Sequence, residues 1–239
     1  MAKTVAGGEI NCIDSADYGL TTINKSITID CLASVGLIST GGSTTALSIA
    51  ANAGSDTVTI RNLSIRGAAG YNGYAILISG ASAVHIDNVT ISNAQVCVNG
   101  FGQNQNLNVT IQHSTLTQCS NGVVVTTNSP ALTTINLDDV TIRNGGFALS
   151  LGASDRSVVR NSNLSSNQSA VAIGGPAVIR IERSTLSFNV NLFDLSNCFS
   201  CGAEVDERDN ILFGNGGVYT SVSPLVTRQG KGTEVPLYR

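Results

Sequence analysis

Tryptophan is absent from this chain of 239 residues, and the aromatic complement stops at six Phe and five Tyr. A core of stacked aromatic rings is thereby excluded, and the interior has to be filled by small and branched side chains, which suit the pleated surface of β-strands. Charge is scarce as well: only 12% of residues are Asp, Glu, Lys or Arg, with a formal net charge of -3. Nothing resembles the basic stripe that a phosphate backbone demands, so no nucleic-acid partner is expected. No apolar run approaches the roughly 20 residues of a membrane-spanning helix, so no membrane partner is expected either. Residues 1–10 lack the basic-then-apolar layout of a signal peptide, which leaves a cytosolic protein or a chain trimmed at its start. No polar linker or block of charge divides the sequence, and a single domain over 1–239 is expected, long enough to bury a sizeable core.

What is plentiful is Ser, Thr, Asn and alternation. The phrase apolar, polar, apolar, polar, Asn, apolar, Thr, apolar recurs along the chain. It reads Val58-Thr59-Ile60-Arg61-Asn62-Leu63-Ser64-Ile65 and again Val84-His85-Ile86-Asp87-Asn88-Val89-Thr90-Ile91. Looser copies stand at 109–116, 135–142, 157–164 and 179–186, with a degenerate one at 205–211 and an opening one that ends Ile27-Thr28-Ile29. The closing apolar residues Ile65, Ile91, Leu116, Ile142, Leu164 and Leu186 lie 26, 25, 26, 22 and 22 residues apart. After a polar turn each copy is followed by a third alternating run: Ile76-Leu77-Ile78, Val96-Cys97-Val98, Val123-Val124-Val125, Leu149-Ser150-Leu151, Val171-Ala172-Ile173 and Phe193-Asp194-Leu195.

Alternation with period two marks strands buried on one face, and no segment carries the i, i+3, i+4 spacing of an amphipathic helix. Three short strands per 22 to 26 residues predict one coil of an all-β parallel solenoid, stacked at about 4.8 Å. The repeat body runs over about 7–215, and the tail, 216–239, is expected to pack on or cap the coil. Asn62, Asn88 and Asn161 share a single-residue corner with His113, Asp139 and Arg183, because Asn tolerates the left-handed conformation of a sharp turn. A second polar column is expected at Asn93, Gln118, Asn144, Asn167 and Asn189. Stacked amides explain the Asn-x-Ser/Thr triplets at Asn62, Asn88, Asn108 and Asn163 without glycosylation.

The six cysteines are Cys12, Cys31, Cys97, Cys119, Cys198 and Cys201. An even number favours an oxidising, extracellular setting. Cys12 and Cys31 close strand-like segments of neighbouring rungs and form the first disulfide candidate, the alternative being two buried thiols. Cys198 and Cys201 have metal-ligand spacing, yet His85 and His113 are the only histidines, and four convincing ligands are missing. No metal and no cofactor is expected.

The repeats, above all Ile86-Asp87-Asn88-Val89-Thr90-Ile91-Ser92-Asn93 and Ser184-Thr185-Leu186-Ser187-Phe188-Asn189, resemble the right-handed parallel β-helix repeat proteins of the pectate-lyase-like superfamily. The stretches Gly7-Gly8-Glu9-Ile10-Asn11-Cys12 and Lys25-Ser26-Ile27-Thr28-Ile29-Asp30-Cys31 resemble a group of secreted bacterial β-helix proteins of unassigned function. That resemblance implies a right-handed coil, an extracellular or cell-surface location and a start trimmed of its secretion signal. An engineered scaffold without a native task is a further option. It implies chemistry only weakly, since the scaffold hosts lyases, hydrolases, epimerases and inert spikes.

Polysaccharide-active relatives work on the outer face of the third strand. The outward residues expected there are Leu77, Cys97, Val124, Ser150, Ala172 and Asp194, flanked by Ala75, Gln95, Gly122, Ala148 and Ala170. Asp194 alone is ionisable. A lyase needs calcium-binding carboxylates beside a basic residue, and a glycosidase needs two carboxylates about 5 to 9 Å apart. Neither set is present on that face. Asp138 and Asp139 resemble the paired acids of polygalacturonase-type hydrolases, but they lie on another strand and the accompanying motifs are missing, which leaves Asp138, Asp139 and Asp194 as weak catalytic candidates.

A more charged row, Arg61, Asp87, Gln112, Asp138, Arg160 and Glu182, aligns one residue per rung before the Asn corner. It reads as an ion ladder of small stabilising effect or as a ligand-binding strip. Tyr71 and Tyr74 form the one aromatic cluster near a turn. The flat third-strand face calls for a cover, either the tail from residue 218 onward or a second copy of the chain. The function expected is a rigid binding or structural module for a polysaccharide or for itself. The alternative is a polysaccharide-active lyase or glycoside hydrolase with catalytic groups on loops 100–108 or 206–209.

Overall fold

A computed structural model describes residues 3–32, 36–40, 44–67, 72–102, 105–127, 131–152, 155–196, 202–220 and 233–234. Alternating Val, Ile and Thr make short strands, and every pairing between them is parallel. Among the described residues the chain is an all-β solenoid of three parallel sheets of nine, ten and nine strands. Each rung contributes a strand to sheet 1, for example Ala83–Asp87, then to sheet 2, Thr90–Ser92, then to sheet 3, Val96–Gly102.

The closing apolar residues stack as one inward column: Ile65 beside Ile91, then Leu116, Ile142, Leu164, Leu186 and Leu212. In the last rung Leu212 fills the slot, so that copy spans 205–212, and Ile211 points outward, 50% exposed. The opening copy is also shifted. Ile27 and Ile29 pair with Val58 and Ile60 on sheet 1, and Ile38 takes the place beside Ile65.

The first corner is as expected: Asn62, Asn88, His113, Asp139, Asn161, Arg183 and Asp209 all have φ between 46° and 55°. The second corner is Asn93, Gln118, Asn144, Ser166, Phe188 and Gly214, again left-handed. Asn167 and Asn189 therefore stand one residue past it, inside the coil and buried. There Asn189 Nδ2 donates to the Leu164 carbonyl and to Asn215 Oδ1, and Asn215 Nδ2 donates to the Leu186 carbonyl. A parallel interior ladder runs through hydroxyls: the Val140 amide donates to Ser162 Oγ, the Ser162 amide to Ser184 Oγ and the Ser184 amide to Asn210 Oδ1. Both ladders satisfy turn groups that would otherwise be buried without partners. Asn108 lies second in the sheet 1 strand Leu107–Gln112 and Asn163 opens the sheet 2 strand Asn163–Ser165, so neither sits at a corner.

Disulfides bind neighbouring rungs at two places. Cys12 joins Cys31 with Cα atoms 4.6 Å apart, and Cys97 joins Cys119 at 5.7 Å. Cys198 and Cys201 lie outside the described residues. In the tail, Val218–Thr220 adds to sheet 3 beyond Asn191–Leu195, and Thr233–Glu234 adds to sheet 2 beyond Ile211–Phe213. The described tail residues thus extend sheets 3 and 2 by one strand each.

Candidate functional site

Sheet 3 carries the outer row that the alternation predicts at every rung but one, where Asn99 takes the place expected of Cys97. Leu77 pairs with Asn99, and the row continues through Val124, Ser150, Ala172 and Asp194. Cys97 belongs instead to a fully buried column with Ala75, Ala148 and Ala170, where the strand bends in from the second corner. The expected flank of Ala75, Gly122, Ala148 and Ala170 is consequently interior, and Gln95 precedes the strand. Small residues line that bend from Ala75 to Ala170, and Leu192 follows them in the next rung. A Cβ on Gly122 would stand 2.4 Å from the Ala148 carbonyl oxygen and 2.6 Å from Ile142.

Asp194 is half-buried, and its Oδ1 accepts the Ser196 amide at 3.0 Å. It lines an open depression of about 350 Å³ with Phe147, Ser150, Ala172 and the glycines Gly152 and Gly174. The segments considered for loop-borne catalysis are mostly strand: Glu204–Arg208 belongs to sheet 1, and Val96–Gly102 and Leu107–Gln112 leave only four residues between them. Tyr71 lies outside the described residues, and Tyr74 is half-buried at the start of a sheet 3 strand.

Sheet 1 carries the charged row in register: Asp30, Arg61, Asp87, Gln112, Asp138, Arg160, Glu182 and Arg208. Beside it runs a second outward row, Thr59, His85, Thr110, Asn136, Val158, Arg180 and Asp206. The two rows form one polar wall parallel to the coil axis.

The ion pairs across this wall join some neighbours in the charged row and bypass others. Asp87 meets His113 at 2.8 Å rather than Arg61, which forms no ion pair among the described residues. That hydrogen bond, with the charges of Asp87, Asp139 and Asp138, raises the His113 pKa above its ordinary value. Arg160 Nε pairs with Glu182, which Arg183 approaches at 3.6 Å. Asp206 lies between Arg180 at 3.1 Å and Arg208 at 2.9 Å. The Arg208 hydrogen bond, seconded by Arg180, lowers the Asp206 pKa. Asp138 faces an amide, Asn161 Nδ2, at 2.7 Å, and Asp139 takes the exposed corner next to it. Asp138 and Asp194 stand on different sheets, so they do not converge.

Where the ladder of pairs is interrupted, the wall is hollowed. Thr110, Gln112, Asn136, Leu137, Asp138, Val158 and Arg160 line an open depression of about 310 Å³. It presents hydroxyl, amide, carboxylate and guanidinium groups from three consecutive rungs. The family described as right-handed beta helix region matches residues 45–223. The chain belongs to that family. No curated protein and no solved structure matches the chain. Membership of the right-handed β-helix family accounts for the solenoid and leaves the chemistry to the walls. Sequence reasoning placed Asp138 and Arg160 on one row; it missed Thr110, Asn136 and Val158, which the same alternation, read two residues upstream, marks as outward.

Proposed function

We propose that this β-helix is an extracellular binding module that holds an extended, hydroxyl-rich polymer, a polysaccharide, along sheet 1 at the Asp138 and Arg160 depression. One observation carries the reading. Donors and acceptors of four kinds, Thr110, Gln112 with Asn136, Asp138 and Arg160, line a single hollow of about 310 Å³ on an otherwise continuous wall, in the size range of small-ligand sites. A carboxylate, amides and a guanidinium suit the paired hydroxyls of a sugar, and a rung repeat of about 4.8 Å is on the scale of one sugar residue in an extended chain. Buried hydrogen bonds across rungs keep the wall rigid, so little ordering is needed on binding. The inter-rung disulfides Cys12–Cys31 and Cys97–Cys119 support an oxidising compartment.

The test is affinity electrophoresis in gels containing xylan, galactan, mannan or polygalacturonate. Retardation by at least one of them that falls about tenfold in Asp138→Asn/Arg160→Gln, matching the loss of about one to two polar contacts, supports the reading. Retardation by none, or retardation untouched by the double substitution, defeats it. A second reading rests on Asp194 in the sheet 3 depression: a polysaccharide-active enzyme with Asp194 as its acid or base. New reducing ends that vanish in Asp194→Ala would favour it.

A further inference from the structure

The repeat contains its own control for the last two rungs. At the second corner, left-handed Asn93, Gln118, Asn144 and Ser166 give way to Phe188, 57% exposed. In the outward sheet 2 column, Thr115, Thr141, Asn163 and Thr185 give way to Ile211, 50% exposed. In the neighbouring column Ser165 and Ser187 give way to Phe213. Val190, 67% exposed, stands where the preceding rung has Gln168. Polar residues satisfy the fold at all four positions, so packing does not call for the apolar ones.

Phe188 is the least expected of the four. Its φ is 54°, a left-handed conformation that is an outlier for a bulky side chain. Its ring is nevertheless held in a fixed pose. It meets Phe213 edge to face, with centroids 4.9 Å apart and planes at 89°. It also lies over Gly214, where an added Cβ would come within 2.8 Å of it. A strained residue that presents a fixed aromatic face to solvent is a reason to look for a ligand.

We infer that Phe188, braced by Phe213 and flanked by Val190 and Ile211, is a stacking platform for the apolar face of one sugar ring. The inference rests on the saccharide reading above and adds a second point of contact. Size decides against a protein partner: two rungs by one three-residue strand is roughly 10 by 10 Å, far below the ~800 Å² per side of a stable protein interface. One pyranose ring covers such an area. The ring's CH groups would meet the negative face of Phe188 while its hydroxyls reach solvent and the Thr185 hydroxyl side of sheet 2.

The test uses the same four polysaccharide gels and a thermal melt of each variant. Phe188→Asn installs the residue that Asn93 and Asn144 already carry at this φ, and Phe213→Ser installs that of Ser187. Both are expected to weaken retardation about tenfold, Phe188→Asn without lowering the melting midpoint, and Phe188→Tyr to keep it. Retardation of the unmodified protein that persists in Phe188→Asn overturns this inference alone. Retardation of the unmodified protein by no polysaccharide overturns the parent reading and this one together. Self-association by light scattering that Phe188→Asn abolishes also overturns it, by assigning the patch to a second copy.

Discussion

Asn189 Oδ1 accepts the backbone amide of Asn167, 22 residues earlier and one rung away, at 3.0 Å, and the Asn167 side-chain amide at 3.2 Å. With the donor bonds from Asn189 Nδ2 to Leu164 and Asn215, one side chain ties four groups of the two flanking rungs inside the coil. Replacing it by Ala leaves buried donors and acceptors without partners, each costing on the order of 1 to 3 kcal/mol. Asn189→Ala is therefore expected to lose about 3 kcal/mol or more in urea unfolding, whereas Asn62→Ala, at the outer corner, should lose less than about 1.5 kcal/mol.

The Cys97–Cys119 bridge closes a separation of 22 residues between adjacent rungs, and cross-linking a loop of that length stabilises by about 3 kcal/mol. Ala is native at 75, 148 and 170 in the Cys97 column and at 94 beside Cys119, so Cys97→Ala/Cys119→Ala deletes the bridge with little repacking. Urea unfolding of the double variant should show that loss, and adding reductant should then shift it less than it shifts the native chain.

Much of this arrangement was legible before any coordinates. The column of Ile65, Ile91, Leu116, Ile142, Leu164 and Leu186 could be counted, because alternation and a fixed phrase set its register. The Arg61 to Glu182 row followed from the same count. The middle row of sheet 3 was misread at one rung because its true equivalent of Ile76-Leu77-Ile78 is Val98-Asn99-Gly100, and Gly100 has no side chain to mark the place; the flank was misread throughout, because alternation breaks where Ala75, Gly122, Ala148 and Ala170 turn inward. Asn167 and Asn189 were put in one column with Asn93, Gln118 and Asn144 by residue type, where counting 22 from Asn144 would have found Ser166. Counting 22 once more would have found Phe188, although a bulky side chain at a left-handed corner runs against propensity.

Ser157 interrupts an inward column of Val58, Val84, Val109, Ile135, Ile179 and Val205, and its buried Oγ has no hydrogen-bond partner. Removing an unpaired buried hydroxyl and adding apolar surface should both help. Ser157→Val is expected to raise stability by about 1 kcal/mol in chemical denaturation, with an unchanged slope.

Acid and base act on the wall in opposite senses. His113, its pKa raised by Asp87, favours the folded state while protonated; this contribution is complete below the unfolded histidine value and fades as pH rises through the raised folded one. Asp206, its pKa lowered by Arg208 and Arg180, contributes above the unfolded carboxylate value and is lost as pH falls through the lowered folded one. Nuclear magnetic resonance titration should find the His113 midpoint above 6.5 and bring it down in Asp87→Asn. The His113 side chain is 61% exposed and that of Asp206 25%, and both pairs are open to solvent, so the stability changes should be small.

Chemical-shift mapping of the labelled protein with an oligosaccharide of whichever polysaccharide retards it tests the binding wall most directly. The largest changes are expected at Thr110, Gln112, Asn136, Asp138 and Arg160, with the oligosaccharide recovered at its original length. Changes centred on Ser150, Ala172 and Asp194 across sheet 3, accompanied by shortened oligosaccharide, would contradict a binding role on sheet 1.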